Sequence, residues 1–491
     1  MANGKSKFYI TTAIDYPSGK PHIGHAYEKI VADTIARWQR RKGAQVFFLT
    51  GTDEHGQKIE KYARRENRTP QEFVDTMVED FRRLCRDLSI SYDAFIRTTE
   101  PQHQETVRQI FSRALAKGDI YRGHYEGFYC VDCETFFLER DLAQGACPVH
   151  GSKADWVREE GYFFAMSRYE RRLREHIEAH ESFILPVSRR NEVLNRIKEG
   201  IRDLNISRAN FSWGIPLPND PAQVLYVWFD ALTNYVSGLG GPESPLFREF
   251  WPADMHLIGK DILWFHAVIW PAILMAADIE LPRTICAHGF IKVGGEKVSK
   301  SKGAVLDLGA LIARYGADSI RYFLLREVAF GEDGNFSEEA LIRRINCDLA
   351  NDLGNLVYRT ISMIEKYFQG EIPQEFHQAV PAAVLDAARS LSAAVDREMM
   401  EYNFSQALAK IWDVVNAANK FIEESKPWVL CKENRRRELS DVMYILVQAI
   451  RLVRENLSPF MPGTAVRIDE QFPGMTVRKS APLFPRIEDA D

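Results

Sequence analysis

The sequence predicts an α/β fold: a doubly wound parallel sheet, interrupted by a small cysteine-bearing insertion and followed by an α-helical bundle. Three observations point there. The chain opens as strand, loop, helix, strand; three cysteines and a histidine gather between positions 130 and 150; and beyond about Asn346 strand-like runs give way to apolar residues at helical spacing.

Taken in order, Phe8 to Ile14 is apolar and β-branched, as a buried parallel strand requires, and Tyr16-Pro17-Ser18-Gly19-Lys20-Pro21 is a turn-rich segment that cannot continue it. Tyr27, Val31, Thr34, Ile35 and Trp38 then recur at helical spacing, with Glu28, Lys29, Arg37, Arg40 and Arg41 mostly off that stripe and Gly43 as a stop. Val46 to Leu49 reads as a second buried strand. Ligands of such sheets sit beyond the carboxyl ends of the strands, where Tyr16 to His25 falls. Gly24 and His25 open the helix, whose N-terminal N–H groups favour anions, and His22 and His25 supply two imidazole donors. The segment reads as a phosphate cradle without a Walker loop, or more blandly as two surface histidines capping a helix. Ile291 to Lys302 reads as a strand end entering a loop with Gly294-Gly295, Lys297, Ser299, Lys300 and Ser301. Its lysines could hold a triphosphate as point charges, although such a run is also what a solvated loop looks like.

At 491 residues the chain is too long for one core, and 45% hydrophobic with 27% charged residues is the composition of a globular protein. The polar start, Met1 to Lys7, carries no expected secretory signal, and the most apolar run, Ile262 to Ala277, holds His266 and Pro271 and reads as a buried helix; no membrane partner is expected. A net charge of −5 argues against electrostatic coating of nucleic acid but leaves room for a local basic face, to which Arg343-Arg344 and Arg435-Arg436-Arg437 could contribute unless they are solvated helix faces.

Cys85, Cys286, Cys347 and Cys431 stand alone and read as small buried apolar residues of a reducing compartment. Cys130, Cys133, Cys147 and His150 have the ligand types and spacing for tetrahedral zinc. Four protein ligands leave no position for water, so the expected Zn2+, one per chain, is structural, stapling a module of roughly Lys117 to Asn219.

These segments together resemble the class I aminoacyl-tRNA synthetases, and within them the methionine family. The likeness is carried, in the family's order, by Tyr16 to Ala26, by Thr50-Gly51-Thr52-Asp53-Glu54-His55-Gly56, by Tyr226-Val227-Trp228-Phe229-Asp230-Ala231, by His256-Leu257-Ile258-Gly259-Lys260-Asp261-Ile262, by the lysine loop, and by Asp352-Leu353-Gly354-Asn355-Leu356. One departure is Val298, where the family usually has methionine.

The resemblance implies a Rossmann-type catalytic domain in two halves, 1–116 and 220–345, split by a connective insertion over 117–219 and followed by an anticodon-binding bundle over 346–491. It implies that His22, Gly24, His25, Lys297, Ser299 and Lys300 bind ATP, with His22, His25, Lys297 and Lys300 catalytic and Mg2+ accompanying the nucleotide. Ala13, Ile14, Tyr16, Trp228, Ala231, Tyr235, Ile262 and His266 would form the methionine pocket, with Asp53 on the ammonium and Asp261 on ribose or substrate. Asn351, Arg359 and Trp428 would meet unpaired bases of tRNA(Met), initiator and elongator alike, although a core position for Trp428 is equally open. A cytoplasmic monomer is expected, since the chain stops soon after Leu483-Phe484-Pro485, where many family members continue into an RNA-binding, dimer-forming domain. A small nucleotidylyltransferase, a synthetase for another amino acid, and a tRNA-binding or zinc-dependent scaffold without activity are the rivals.

Overall fold

In a computed structural model of the chain, describing residues 6–130, 135–137, 139–148, 151–209, 211–294, 296–297 and 306–488, six parallel strands form the central sheet. They are β1 (Lys7–Thr12), β2 (Gln45–Thr52), β3 (Ala94–Arg97), β4 (Ile184–Leu185), β5 (Met255–Gly259) and β6 (Ile285–His288), in the spatial order β3-β2-β1-β5-β6-β4. The reversal of direction lies at β1, whose neighbours β2 and β5 come from opposite halves of the chain, and a sheet of this kind binds ligands beyond that point. Tyr9 and Ile10 of β1 are fully buried, as a central parallel strand covered on both faces demands.

The chain divides into two units: Met1–Pro21, Gln39–Cys85 and Ser91–His288 in the first, and His22–Trp38, Arg86–Ile90 and Gly289–Asp491 in the second. In the first unit, the sheet shares a continuous apolar core with helix Pro101–Ala116 and with the Trp270–Ala276 segment, around Leu49, Phe111, Phe229, Ile258 and Trp270. The run expected as one buried helix is buried but not uniform. It turns as a 3₁₀ segment at Lys260–Ile262, widens to a π turn at Phe265–Ile269 and becomes α-helical at Trp270. Such π turns frequently mark functional sites. The insertion is a four-stranded antiparallel sheet, ordered Thr135–Phe137, Ile120–Cys130, Asp155–Phe164, Leu204–Asn205. Strand β4 comes from this same stretch of sequence yet pairs with β6 at the edge of the main sheet.

In the second unit, the helix that links β1 to β2 begins at Ile23 and ends at Arg41, closed by Gly43 at a φ of 88°. Its predicted stripe of Tyr27, Val31, Thr34, Ile35 and Trp38 is buried, but Glu28, Lys29 and Asp33 are buried as well. The one-sided pattern is therefore corrected: this helix is enclosed beyond its apolar face. Asp33 is held there by Arg321, a fully buried side chain whose guanidinium lies 2.7 Å from the Asp33 carboxylate and donates to the carbonyls of Leu88, Pro459 and Phe460. Beyond Gly334–Phe336 the described residues form only helices, turns and one isolated bridge, with breaks between Phe368 and Ala383 and at Pro427. Helices Ala383–Met400, Phe404–Ser425 and Arg436–Leu457 pack on one another, and Leu391, Val395, Ile411, Val415 and Ile450 are among their buried apolar residues.

Candidate active site

The carboxyl end of β1 is tied to its neighbours by backbone bonds: Ala13 N–H to Leu257 O (3.1 Å), Asp15 N–H to Gly51 O (2.9 Å) and Asp53 N–H to Asp15 O (2.8 Å). Ala13, Ile14, Tyr16 and Asp53 thus lie together past the ends of β1 and β2, all half-buried. The Tyr16 ring packs on Ile59, Ala63, Phe73 and Val74, which accounts for a half-buried aromatic in a turn.

Trp228 and Phe265 stack face to face at 3.8 Å, and Trp228 meets the edge of His266 at 6.2 Å. Tyr235 Oη lies 2.7 Å from His266 Nε2, while His266 Nδ1 lies 3.0 Å from the Ile262 carbonyl, which can only accept. That carbonyl fixes the tautomer: Nδ1 carries the proton and Nε2 accepts from the Tyr235 hydroxyl. Burial pushes the His266 pKa down to about 4 against the smaller opposing effect of the Ile262 bond, so the ring is neutral at physiological pH. The structure therefore brings Trp228, Tyr235, Ile262 and His266 into one aromatic cluster, with Ala231 on the same helix as Trp228. Asp261, next to Ile262, is exposed.

Elsewhere in the same unit Glu54, His55 and Asp230, which lie within the segments that carry the resemblance, meet His103 and Arg97, which lie outside them. His55 Nδ1 and His103 Nε2 each lie 2.6 Å from a different oxygen of Asp230, whose side chain is 1% exposed, and His103 Nδ1 lies 2.7 Å from Ser237 Oγ. Burial raises the Asp230 pKa, but the charge and hydrogen bonds of His55 and His103 outweigh it and leave the carboxyl below its ordinary range. Beside it, Glu54 is fully buried and accepts from Arg97 Nε (2.7 Å), Arg97 Nη2 (2.9 Å), Thr52 Oγ1 and Thr99 Oγ1 (both 2.6 Å).

In the second unit, the His22 and His25 rings stack at 3.7 Å. The His22 backbone N–H donates to His25 Nδ1 (3.0 Å) and the Gly24 N–H to His22 Nδ1 (3.2 Å). Two backbone donors thus occupy both Nδ1 atoms and leave the protons on Nε2, the tautomer that makes each ring a donor. A Cβ at Gly24 would lie 3.0 Å from the His22 ring, so glycine lets that ring fold back over the turn. Lys297 ends a short strand, Glu296–Lys297, paired with Ile291–Val293. Its side chain, Val298, Ser299 and Lys300 lie outside the described residues.

Of the zinc set, Cys130 ends its strand fully buried and Cys147 is 1% exposed, in a turn where its N–H donates to Ser152 O and its carbonyl accepts from Gly151 N–H, both at 2.8 Å. Ser152 Oγ reaches to 3.5 Å from Cys130 Sγ, so the two thiols belong to adjoining backbone. Cys133 and His150 lie outside the described residues, and among those described no three His, Cys, Asp or Glu side chains gather as a metal group. Of the solitary cysteines, Cys85 and Cys286 are buried as expected; Cys347 is exposed, a correction, because it falls on the outward side of the Ile345–Gly354 π segment.

On that segment Asn351 lines a cavity of ≈ 630 Å³ with Tyr358, Lys479 and Phe484. Arg359 pairs with Glu423 at 2.7 Å, and Trp428 is 37% exposed, on the surface rather than in the core. The arginine clusters are largely engaged within the chain: Arg344 with Glu327 and Asp348, Arg435 with Glu433 and Glu438.

The family model described as class I tRNA synthetases (M) matches residues 8–155 and 140–361, and that of the anticodon-binding domain of tRNA ligases matches 382–479. The methionine–tRNA ligase of Caldanaerobacter subterraneus is 48% identical over 99% of this chain and 79% of its own length, and that of Clostridium acetobutylicum 46% over the same shares. Among solved structures, Mycobacterium tuberculosis methionyl-tRNA synthetase in complex with methionyl-adenylate superposes with a TM-score of 0.94 at 42% identity, covering 98% of this chain and 100% of that one. The apo form of the same enzyme gives 0.88 at 39% identity, with both chains fully covered. With its parallel sheet, its histidine turn and these matches across nearly its full length, the chain belongs to the class I tRNA synthetases, in the methionine branch.

Proposed function

We infer that the chain activates L-methionine with ATP to give methionyl-adenylate and pyrophosphate, then transfers the methionyl group to the 3′ end of tRNA(Met). The likeness, over 98% of the chain, to a synthetase solved with methionyl-adenylate carries this most directly. In the first step a methionine carboxylate oxygen attacks the α-phosphorus, a P–O bond forms in line, and the bond to the β-phosphate breaks. In the second, a terminal ribose hydroxyl attacks the carbonyl carbon and AMP leaves with the bonding electrons. Neither step needs an enzyme nucleophile, so this chain's residues position and stabilise charge.

The aromatic cluster of Trp228, Tyr235 and His266, with Ala13, Ile14, Tyr16, Ala231 and Ile262, suits a thioether, which gains from ring contacts. Asp53 would pair with the ammonium and Asp261 with ribose or substrate. His22 and His25, each with its proton on Nε2, would donate to phosphate oxygens beside Gly24, with Lys297, Ser299 and Lys300 meeting the departing pyrophosphate. Mg2+, bound with ATP, would neutralise phosphate charge. Cys130, Cys133, Cys147 and His150 would hold one structural Zn2+, a donor set supported by the burial of Cys130 and Cys147 in adjoining backbone. Asn351, Arg359 and Trp428 would read anticodon bases within the 346–491 region, and the insertion would span 117–219. A cytoplasmic monomer serving initiator and elongator tRNA completes the proposal; among the described residues no helix is long and apolar enough to cross a membrane.

Amino-acid-dependent ATP–pyrophosphate exchange tests the activity. Strong exchange with methionine, and weak exchange with leucine, isoleucine, valine and cysteine, is expected; exchange with another amino acid alone, or with none, would overturn it. In the same assay His25→Ala should lower the rate by about 10²–10³ while the protein stays folded.

A further inference from the structure

Resting on the methionine-activating function above, we propose that Asp230 and the two histidines it joins, His55 and His103, form a positioning clamp in which one buried carboxylate fixes the pocket wall against the strand end that carries Asp53. Asp230 lies between Trp228 and Ala231 in helix Val227–Leu232. His55 follows Asp53 by two residues, just past β2, and His103 belongs to helix Pro101–Ala116. Each imidazole takes one carboxylate oxygen at 2.6 Å, and His103 continues to Ser237, which lies in the short helix Asn234–Ser237 with Tyr235. Trp228, Ala231 and Tyr235 on one side and Asp53 on the other are thereby joined through a single side chain.

His55 is itself caged. Its ring meets the edge of Trp213 at 5.4 Å, Trp213 Nε1–H donates to Glu54 O at 2.6 Å, and Gly56 N–H donates to Trp213 O at 3.0 Å. An apolar trio of equal volume would be at least as stable, since burying a carboxylate costs desolvation that its partners must offset. Directional bonds add a narrow geometry instead, and a pocket that must place an amino acid's carboxylate for in-line attack loses rate over shifts of about 1 Å. The three residues act through Trp228, Ala231 and Asp53 and are positioning residues rather than catalytic ones.

The test compares His55→Ala with His55→Asn in the full chain. An Asn side-chain nitrogen lies where Nδ1 does and still donates to Asp230; alanine leaves the carboxylate one partner short. His55→Ala should raise the KM for methionine in pyrophosphate exchange about 10- to 100-fold, leave the KM for ATP within about twofold, and be largely rescued in His55→Asn. Should His55→Ala fail to fold, His103→Leu against His103→Gln makes the same comparison at Nε2. An unchanged methionine KM, equal rises for both substrates, or no rescue by the amide would overturn the clamp. Wild-type exchange run alongside separates the two claims: its absence overturns the methionine activity, whereas its presence with unaffected variants overturns the clamp alone.

Discussion

His266 shows at the residue scale how burial decides chemistry. Its position in an apolar run makes it ambiguous in sequence, a core residue or part of a pocket, and the structure shows it enclosed and hydrogen-bonded at both nitrogens. Unfolding returns the imidazole from about 4 to its ordinary 6.5, so between those values the unfolded chain binds a proton that the folded chain does not. This contribution is complete above pH 6.5 and is lost as pH falls towards 4. By pH 5 the loss amounts to about 2 kcal/mol, and His256, whose pKa burial also lowers, acts in the same direction. Chemical denaturation at pH 7 and pH 5 should therefore show a smaller loss of stability in His266→Gln than in the wild type. An equal loss would assign the acid sensitivity elsewhere. Asp230 was less legible than His266, because a carboxylate after three apolar residues carries no sign of the two histidines that the fold brings to it.

At the scale of elements, the strands and the histidine-bearing helix were legible because period and turn chemistry are local properties. What encloses that helix was not. Asp33 looks in sequence like an ordinary solvated position, and its 2.7 Å pairings with Arg37 one turn on and with Arg321, itself bonded to three carbonyls, explain a buried charge there. Removing Arg321 leaves Asp33 with Arg37 alone, so the cost stays below the about 3–5 kcal/mol of a buried pair broken outright. Arg321→Met should shift the unfolding transition accordingly, and Asp33→Asn in the same chain should recover part of the loss. A double variant no better than the sum of the singles would show that the two side chains are not coupled. The two-residue strand β4 was missed for a similar reason: Ile184-Leu185 is too short for periodicity, and pairing with β6 alone makes it a strand.

For the whole molecule, the family assignment implies two separable operations, adenylate formation and tRNA charging, and Trp428 should belong to the second. Its ring is 37% exposed in a short helix begun by Pro427 after the left-handed Lys426, a surface where an unpaired base could stack. Trp428→Ala should weaken tRNA charging by about 10-fold or more, from the 1–3 kcal/mol that base–aromatic stacking is worth, and leave pyrophosphate exchange intact. Equal damage to both would place the ring in the fold rather than at the RNA. The linear order of residues by itself determined the fold class, the break between sheet and helical region, and the histidine turn, because these follow from local propensity, spacing and motif. Only the tertiary structure decided which polar groups share a proton or a charge: the neutral His266 beneath Tyr235, Asp230 between two histidines, Asp33 against Arg321. Desolvation and partnership set the state of those groups, and both depend on contacts between segments far apart in the chain.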